Sequence, residues 1–356
     1  MTAHINRIGT ANPPHDVHAA FLAFASGQLP EGKSRAVFDR MAERSGIAHR
    51  FSHMRPGDLA AGEVDADGFF QRGAFPGTAA RMEAYGEQAI DLALQAVAEL
   101  RPEGITHLIV ASCTGFTAPG LDLHLAARLG LRADVARTMI GFMGCSAAVP
   151  ALRAADHTVR AEPTARVLVV NIELCSLHLQ ETDDVETALS LMLFGDGCSA
   201  ALVTADPVGI ALGDFRSVIL PDSQDMITWK IGDQGFLMHL SGQVPGRIAQ
   251  ALRRDVAEGD PTGLLRGASA ESYLHWAVHG GGRTVLDAVE IGLALPPEAL
   301  CRSRLVLHDF GNMSSCTIMF VLDRMLANGV AGPGMAMAFG PGMVAETFRF
   351  SLGSPV

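Results

Sequence analysis

The sequence is short of charge, of aromatic side chains and of closely spaced cysteines. Of its 356 residues, 18% are charged and 6% are aromatic, whereas 48% are hydrophobic. A chain this apolar is not intrinsically disordered, and its length suffices for a large core and about two domains. None of the six cysteines belongs to a C-x-x-C pair, which excludes the usual zinc and dithiol redox motifs. Scattered free thiols are typical of a reducing compartment.

An excess of positive charge and long hydrophobic runs are also lacking. The 27 basic and 38 acidic residues give a net charge of −11, whereas proteins that bind nucleic acids are usually basic. The mean hydropathy is +0.23, yet the most apolar runs are far shorter than the ~20 residues of a membrane-spanning helix. The first residues contain no apolar stretch of signal-peptide length. We therefore expect a cytoplasmic protein without nucleic-acid partners and without stable membrane insertion.

Predicted strands and helices alternate in both halves of the chain, which indicates an α/β fold. The first eighty residues are expected to be irregular. The pattern begins again after Pro207, so we predict an N-terminal half at residues 1–205 and a C-terminal half at residues 206–356. The predicted strands are 106–111, 139–142, 166–173, 199–204, 210–220, 274–278, 305–308, 334–339 and 346–350. The predicted helices are 82–100, 121–129, 145–159, 245–256, 284–293 and 315–327.

Cys145 is the candidate nucleophile. It lies among small residues in the segment 141–148, between a predicted strand and a predicted helix. Free amide groups and the dipole at a helix N-terminus stabilise an anion, so we expect the pKa of this thiol to be lowered. Gly144 permits a tight bend before the cysteine. The alternative is a buried cysteine with only a structural role.

His279 and Asn312 are the candidate partners of this cysteine. Each is expected at the C-terminal end of a strand, where open α/β sheets build their sites. A thiolate can attack a thioester while imidazole and amide N–H groups stabilise the oxyanion that develops. The alternatives are a surface or capping histidine and a helix N-cap asparagine.

At these residues the sequence resembles the type III polyketide synthases of the chalcone synthase type. The resemblance extends from about Phe38 to Phe350, and its closing Gly-Pro-Gly favours this family over the related ketoacyl-ACP synthase III. The segments that carry it, in order, are 144–148, 193–197, 219–223, 279–282, 311–315 and 339–342.

The resemblance implies a thiolase fold, in which two similar αβαβα halves form a five-layered core, and a homodimer. It implies that the N-terminal half provides Cys145, which carries the starter acyl group and the growing chain. His279 and Asn312, from the C-terminal half, would bind the malonyl-CoA thioester, promote loss of CO2 and stabilise the enolate. The substrates would be acyl-CoA and malonyl-CoA, with no metal and no organic cofactor.

The resemblance also assigns residues to the substrate cavity. Phe194 matches a gatekeeper between the CoA tunnel and the cavity, whereas Met238 stands where the family has a second aromatic gatekeeper. Trp229 replaces a glycine of plant chalcone synthases and would fill the space of an aromatic starter. We therefore expect a medium- or long-chain aliphatic starter and a pyrone or resorcinol-type product. The positions implied to face the cavity are Cys113, Cys175, His178, Trp229 and Ser314.

Two arginines match the family's CoA-binding cations. Arg40 and Arg44 are four residues apart, so on a helix they share one face, which suits phosphate binding. Val37 replaces the third cation of the family. The alternative is a solvated helix face.

Other functions remain open from the sequence. A ketoacyl-ACP synthase III would share the three catalytic residue types but needs a basic surface for its acidic carrier, and no cluster of Lys and Arg is evident. A Cys-His-Asn thiol hydrolase has the same residue order, although its usual motif around the cysteine is absent. A non-catalytic homologue is disfavoured because all three residue types are present.

Overall fold

The computed structural model describes residues 2–353 and contains one large mixed sheet covered by helices. Its strands are β1 (His4–Ala11), β2 (His15–Asp16), β3 (Phe51–Ser52), β4 (His107–Ser112), β5 (Ala136–Gly141), β6 (Val167–Leu174), β7 (Asp196–Thr204), β8 (Ile210–Ile219), β9 (Ile227–Gly232), β10 (Gly235–Leu240), β11 (His275–Val278), β12 (Gly332–Gly340) and β13 (Val344–Leu352). Its helices are α1 (His18–Gln28), α2 (Lys33–Arg44), α3 (Thr78–Leu100), α4 (Leu121–Arg128), α5 (Ala148–Ala161), α6 (Val185–Leu191), α7 (Val244–Glu258), α8 (Arg283–Leu293), α9 (Cys301–Phe310) and α10 (Cys316–Ala327).

The large sheet has nine strands in the order β11-β12-β13-β8-β1-β7-β6-β4-β5. The four strands β8 and β11–β13 come from the C-terminal half, and the other five come from the N-terminal half. The two groups meet only where β1 pairs with β8, through His4 opposite Ala211 and Ile5 opposite Ile210. The predicted division of the chain at 205/206 falls in the connection between β7 and β8.

Two helices lie between these groups of strands. The helices α5 and α10 belong to one buried cluster together with strand residues of both halves. The first seven residues of α10 are all buried, because this helix is apolar on every face and has protein on every side. The helices α3 and α4 cover the outer face of the N-terminal strands, and α7 and α8 cover the C-terminal strands. The two groups of strands thus form two layers of the one large sheet. The resulting order is helices, N-terminal strands, α5 and α10, C-terminal strands, helices, which confirms the predicted five-layered α/β core.

The expectation that the first eighty residues are irregular is wrong. They contain β1, α1 and α2. The strand β1 was hidden by its polar centre, since Asn6 donates to the carbonyls of Asp206 and Val208 and Arg7 donates to the carbonyl of Leu100. These polar side chains bind backbone carbonyls of neighbouring segments, so they are compatible with a strand and do not indicate a loop.

The predicted strand at 305–308 is also wrong, because these residues lie in the helix α9. The buried residues of α9 are Ser303, Val306 and Leu307, spaced by three and one, whereas Leu305 between them is exposed. This is the spacing of a helix with one buried face. The short apolar run Leu-Val-Leu concealed it.

No helix within residues 2–353 combines the length and the apolar character that crossing a membrane requires.

Candidate active site

Cys145 lies in a strained turn between β5 and α5. Phe142 and Gly144 both adopt left-handed backbone angles, with φ of 56° and 58°. A Cβ atom at Gly144 would stand 2.4 Å from Cδ of Pro341, so only glycine fits there. The turn Gly144–Ser146 then leads into α5. The backbone therefore presents Cys145 at the start of a helical segment, against the turn that follows β12.

Asn312 lies against the cysteine. Its side-chain oxygen accepts from the backbone N–H of Ser314 at 2.8 Å and lies 3.9 Å from Cys145 Sγ. Its Nδ2 donates to the carbonyl of Gly281 at 3.1 Å. Asn312 follows the helix α9 and not a strand, which corrects the expectation that it ends a strand. Its backbone is held instead by Leu193, whose carbonyl accepts from the N–H of Asn312 at 2.8 Å.

His279 follows β11 and is almost completely buried, with 1% of its surface exposed. Within residues 2–353, neither ring nitrogen has a hydrogen-bond partner. The segment that follows His279 contacts Asn312, because Asn312 Nδ2 donates to the carbonyl of Gly281. Burial lowers the pKa of His279 to about 3, so the imidazole is neutral at physiological pH and can donate from one nitrogen and accept at the other.

The thiol of Cys145 does not have the lowered pKa expected from its position beside a helix. Burial raises its pKa to about 11, and the negative charge of Glu173 adds to this effect, although hydrogen bonds with Ser314 and Asn312 act in the opposite direction. The dipole of a short helical turn does not compensate for the loss of hydration around a thiolate. Cys145 is therefore expected to be a neutral thiol, and a role as nucleophile would require a proton acceptor.

A small cavity surrounds Cys145. Its free volume of about 20 Å³ is room for one water molecule. The structure places six of the predicted substrate residues on its wall: Cys113, Cys175, Phe194, Trp229, Met238 and Ser314. The wall also includes Thr114, Gly144, Ile227 and Pro341, which were not predicted.

His178 is the predicted cavity residue that does not line this space, although it lines the apolar chamber that adjoins it. It is completely buried, and its Nδ1 accepts from the N–H of Phe236 at 2.9 Å. Its Nε2 must therefore carry the proton and donate to the carbonyl of Thr114 at 2.7 Å. Burial lowers the pKa of His178 to about 4, so it stays neutral. His178 supports the cavity wall from behind, since its ring packs edge-on against Trp229 at 5.3 Å.

Glu173 is a polar residue beside the site that the sequence analysis missed. It is completely buried in β6 and accepts hydrogen bonds from the N–H of Cys113, from Thr114 Oγ1 and from Ser315 Oγ. Cys113 Sγ, which is 3.4 Å from the carboxylate, lies 3.3 Å from Ser314 Oγ. A carboxylate in an otherwise apolar buried strand was the available signal, because a buried charge requires partners.

A second, apolar chamber adjoins the cavity. It shares four wall residues with the cavity: Cys175, Phe194, Trp229 and Met238. Its far wall is formed by Val17, Ala20, Phe21 and Phe24 at α1, and by Met54, Pro56, Val64, Leu179 and Leu191. Its free volume is about 60 Å³. Arg50 also lines it and donates to the carbonyl of Phe194 at 2.7 Å, which fixes the backbone of that wall residue.

A wider cleft lies beside the segment that follows His279. Its free volume is about 340 Å³, and its wall includes Gly281, whose carbonyl binds Asn312, and Gly282. Arg44 lines this cleft, whereas Arg40, one turn earlier in α2, is exposed and does not line it. The structure thus brings only one of the two predicted CoA-binding arginines to the cleft.

The Cys145 thiol lies 3.9 Å from the Asn312 amide, and the neutral, buried imidazole of His279 lies two residues before Gly281, whose carbonyl binds that amide. This set can carry out nucleophilic acyl transfer, because the imidazole can accept the thiol proton and two N–H groups can stabilise an oxyanion. Within residues 2–353, no three His, Cys, Asp or Glu side chains are grouped as metal ligands would be.

Comparison with protein families gives a match over nearly the whole chain. Residues 2–207 match the N-terminal domain of chalcone and stilbene synthases, and residues 214–352 match the C-terminal domain of the same enzymes.

Curated and solved relatives are similar over most of their length. The chain is 35% identical to bisdemethoxycurcumin synthase of Oryza sativa subsp. japonica, with 97% of this chain and 91% of that protein covered. It is 34% identical to the alpha-pyrone synthesis polyketide synthase-like Pks18 of Mycobacterium tuberculosis (strain ATCC 25618 / H37Rv), with 76% and 73% covered. The crystal structure of PKS-I from the brown alga Ectocarpus siliculosus has a TM-score of 0.86 and 31% identity over 99% of this chain and 98% of that chain. The bacterial type III polyketide synthase 1,3,6,8-tetrahydroxynaphthalene synthase of Streptomyces coelicolor A3(2) has a TM-score of 0.85 and 26% identity, covering 99% and 100%.

Proposed function

Because the chain belongs to the chalcone and stilbene synthase family and is a type III polyketide synthase, we propose that Cys145, His279 and Asn312 extend an aliphatic acyl-CoA starter with malonyl-CoA. The observation that supports the aliphatic starter is the apolar chamber, which shares four wall residues with the cavity around Cys145. The thioesters themselves activate both reacting carbons, so this chemistry needs no metal and no organic cofactor.

Loading of the starter is the first step. His279 accepts the proton of the Cys145 thiol as the sulfur attacks the thioester carbonyl of the acyl-CoA, and the CoA thiol leaves with a proton. Proton transfer in concert with attack suits a thiol whose pKa is about 11, because no free thiolate has to accumulate. The neutral imidazole of His279 has an unpartnered nitrogen for this role.

Extension follows on the same residues. The thioester carbonyl of malonyl-CoA accepts hydrogen bonds from His279 and from Asn312 Nδ2, CO2 is lost, and an enolate forms. The enolate carbon attacks the Cys145 thioester, a C–C bond forms and the Cys145 sulfur leaves. Asn312 suits this role because its amide has two N–H donors and Gly281 uses one of them.

The residues of the wall between the cavity and the chamber favour a starter with an alkyl chain over a starter with an aromatic ring. Trp229 is fixed there, since its Nε1 donates to the carbonyl of Cys113 at 2.7 Å and its ring packs against Phe236. Met238, by contrast, has a flexible side chain that can move aside. An alkyl chain that passes Met238 would be buried among apolar side chains, at about 0.8 kcal/mol per methylene.

We infer further that the product is a pyrone or resorcinol-type compound. The support is the apolar character of the cavity and its small free volume, which keep water away from the extended chain. The relative Pks18, whose name refers to alpha-pyrone synthesis, adds to this support.

We also infer a homodimer that forms through β5. This strand is the outer edge of the nine-stranded sheet, and all its residues except the half-buried Ile140 are exposed. Exposed apolar side chains lie on it and beside it, namely Met139, Phe142 and Phe116. An exposed apolar edge strand is a template for pairing with a second copy. The six free cysteines support a cytoplasmic location.

The test is incubation with malonyl-CoA and hexanoyl-, decanoyl-, palmitoyl- or coumaroyl-CoA, with products identified by mass spectrometry. We expect products of two or more extensions, the highest kcat/KM with decanoyl- or palmitoyl-CoA, and none with Cys145→Ala. Trp229→Gly should raise kcat/KM for coumaroyl-CoA relative to kcat/KM for the aliphatic starters. Coumaroyl-CoA as the best starter of the wild type would refute the aliphatic assignment, and a single β-ketoacyl product would refute iterative extension.

A further inference from the structure

The cleft that leads to Gly281 contains a cation to which the sequence analysis gave no role. Arg44 lines the cleft from the end of α2, and Arg283 lines it from the first residue of α8. The cleft ends beside the catalytic groups, because the Gly281 carbonyl on its inner wall binds the amide of Asn312. An anion at the outer end and a thioester at the inner end can therefore belong to one substrate.

Arg283 lies directly against the end of α2. Its Nη1 donates to the backbone carbonyl of Arg44 at 3.3 Å, and a Cβ at Gly46 would lie 3.8 Å from its Cδ. The two guanidinium groups thus stand at the same mouth of the cleft although they come from distant parts of the chain. Glu186 is the carboxylate among the described residues that line the cleft, so the charge of this wall is net positive.

Arg283 is only loosely engaged by acidic side chains. Its Nε lies 3.7 Å from Asp287, and the pair is about half exposed. Asp287 has a closer partner in Arg304, at 2.7 Å, and Arg304 also binds Glu290 at 2.7 Å. Arg283 is about half exposed and has no closer acidic partner than Asp287 at 3.7 Å, so several of its N–H donors remain accessible to an incoming anion.

We propose that Arg283 replaces the cation missing at Val37 and, together with Arg44, binds the phosphate groups of CoA thioesters. This inference rests on the proposed function for the identity of the substrates. Guanidinium groups suit phosphate oxygens because they donate two parallel hydrogen bonds.

The test compares ligands with and without phosphate in Arg283→Ala. The Kd of CoA, measured by calorimetry, should rise about tenfold, the lower end of what a hydrogen bond to a charged group contributes. The KM of malonyl-CoA should rise similarly with little change in kcat, whereas the KM of malonyl-N-acetylcysteamine, which has no phosphate, should stay unchanged. Arg254→Ala is the matched control, because Arg254 is likewise an exposed helical arginine paired with an acidic residue four positions later.

Two outcomes would overturn the inference. An unchanged Kd for CoA would remove Arg283 from the site, and an equal rise in KM for both malonyl thioesters would indicate a distorted active site. Val37→Arg added to Arg283→Ala should restore CoA binding at least in part, and a double variant as weak as the single one would contradict the replacement of one cation by the other. The CoA measurement needs no turnover, so failure of the proposed starter or product leaves it interpretable.

Discussion

At the scale of single residues, the partly buried thiol of Cys145 and the buried imidazole of His279 set the protonation of the site before substrate arrives. Burial raises the pKa of this thiol to about 11 and lowers the pKa of His279 to about 3, so burial favours the neutral form of each group. A neutral thiol resists oxidation and alkylation. In the proposed reaction, the thiol therefore reacts only once a thioester is bound, because the negative charge then develops on the thioester oxygen beside the N–H donors of His279 and Asn312.

The neutral pair predicts how alkylation of Cys145 depends on pH. The rate constant for iodoacetamide, followed by peptide mass spectrometry at Cys145, should rise about tenfold per pH unit up to pH 10, because only the thiolate reacts. The exposed Cys301 serves as the internal reference in the same digest. A rate at Cys145 that is already constant below pH 7 would show a thiolate–imidazolium pair instead.

Asn312→Ala should separate loading from decarboxylation. Removal of one oxyanion donor typically slows the dependent step by ~10²–10³, so release of CO2 from malonyl-CoA should fall by that factor. Acylation of Cys145 by a starter CoA, measured by intact mass, should continue. Loss of acylation with normal CO2 release would reverse the assigned roles.

At the scale of elements, α1 limits the length of chain that the chamber accepts. Ala20 lines the chamber from this helix, whereas its neighbour Ala19 is exposed. Ala20→Phe should fill the chamber and shift the best starter towards shorter acyl-CoAs, with each excluded methylene losing about 0.8 kcal/mol. The measurement is kcat/KM from hexanoyl- to palmitoyl-CoA. Ala19→Phe is the matched control, and an identical chain-length profile in both variants would show that the chamber is not used.

The sequence predicts elements best where one periodicity is sustained. The predicted helix at 82–100 corresponds to α3, and the apolar run at 166–173 corresponds to β6. The strand β1 and the helix α9 were missed because polar residues occupy the centre of the strand and because a short Leu-Val-Leu run fits either structure. The four wall residues shared by cavity and chamber were implied by the resemblance, whereas the far wall of the chamber was beyond the sequence, since α1 and the β9–β10 hairpin meet there only after folding.

At the scale of the whole molecule, the edge strand β5 predicts the oligomeric state. Met139→Glu places a charge on the exposed edge, so pairing with a second copy should be weakened. We expect the wild type to elute as a dimer and the variant to shift towards monomer in size-exclusion chromatography with light scattering. Leu274→Glu, at an exposed apolar residue away from β5, is the control. A monomeric wild type would contradict the assignment.

The site itself is shared between the two halves, which explains how much of it the sequence revealed. Residue types and spacing pointed to Cys145, His279 and Asn312, and the structure brings Cys145 and Asn312 within 3.9 Å. The pKa of the thiol could not be foreseen, because it depends on burial by both halves and on the carboxylate of Glu173.

The contact between Gly144 and Pro341 has a consequence for the order of synthesis. The bend that presents the nucleophile fits against a proline almost 200 residues later in the chain, and Asn312 too is translated long after Cys145. A ribosome therefore completes most of the polypeptide before the thiol meets its partners. Until then the nascent N-terminal half contains Cys145 without the proline and the asparagine of the C-terminal half that lie against this turn.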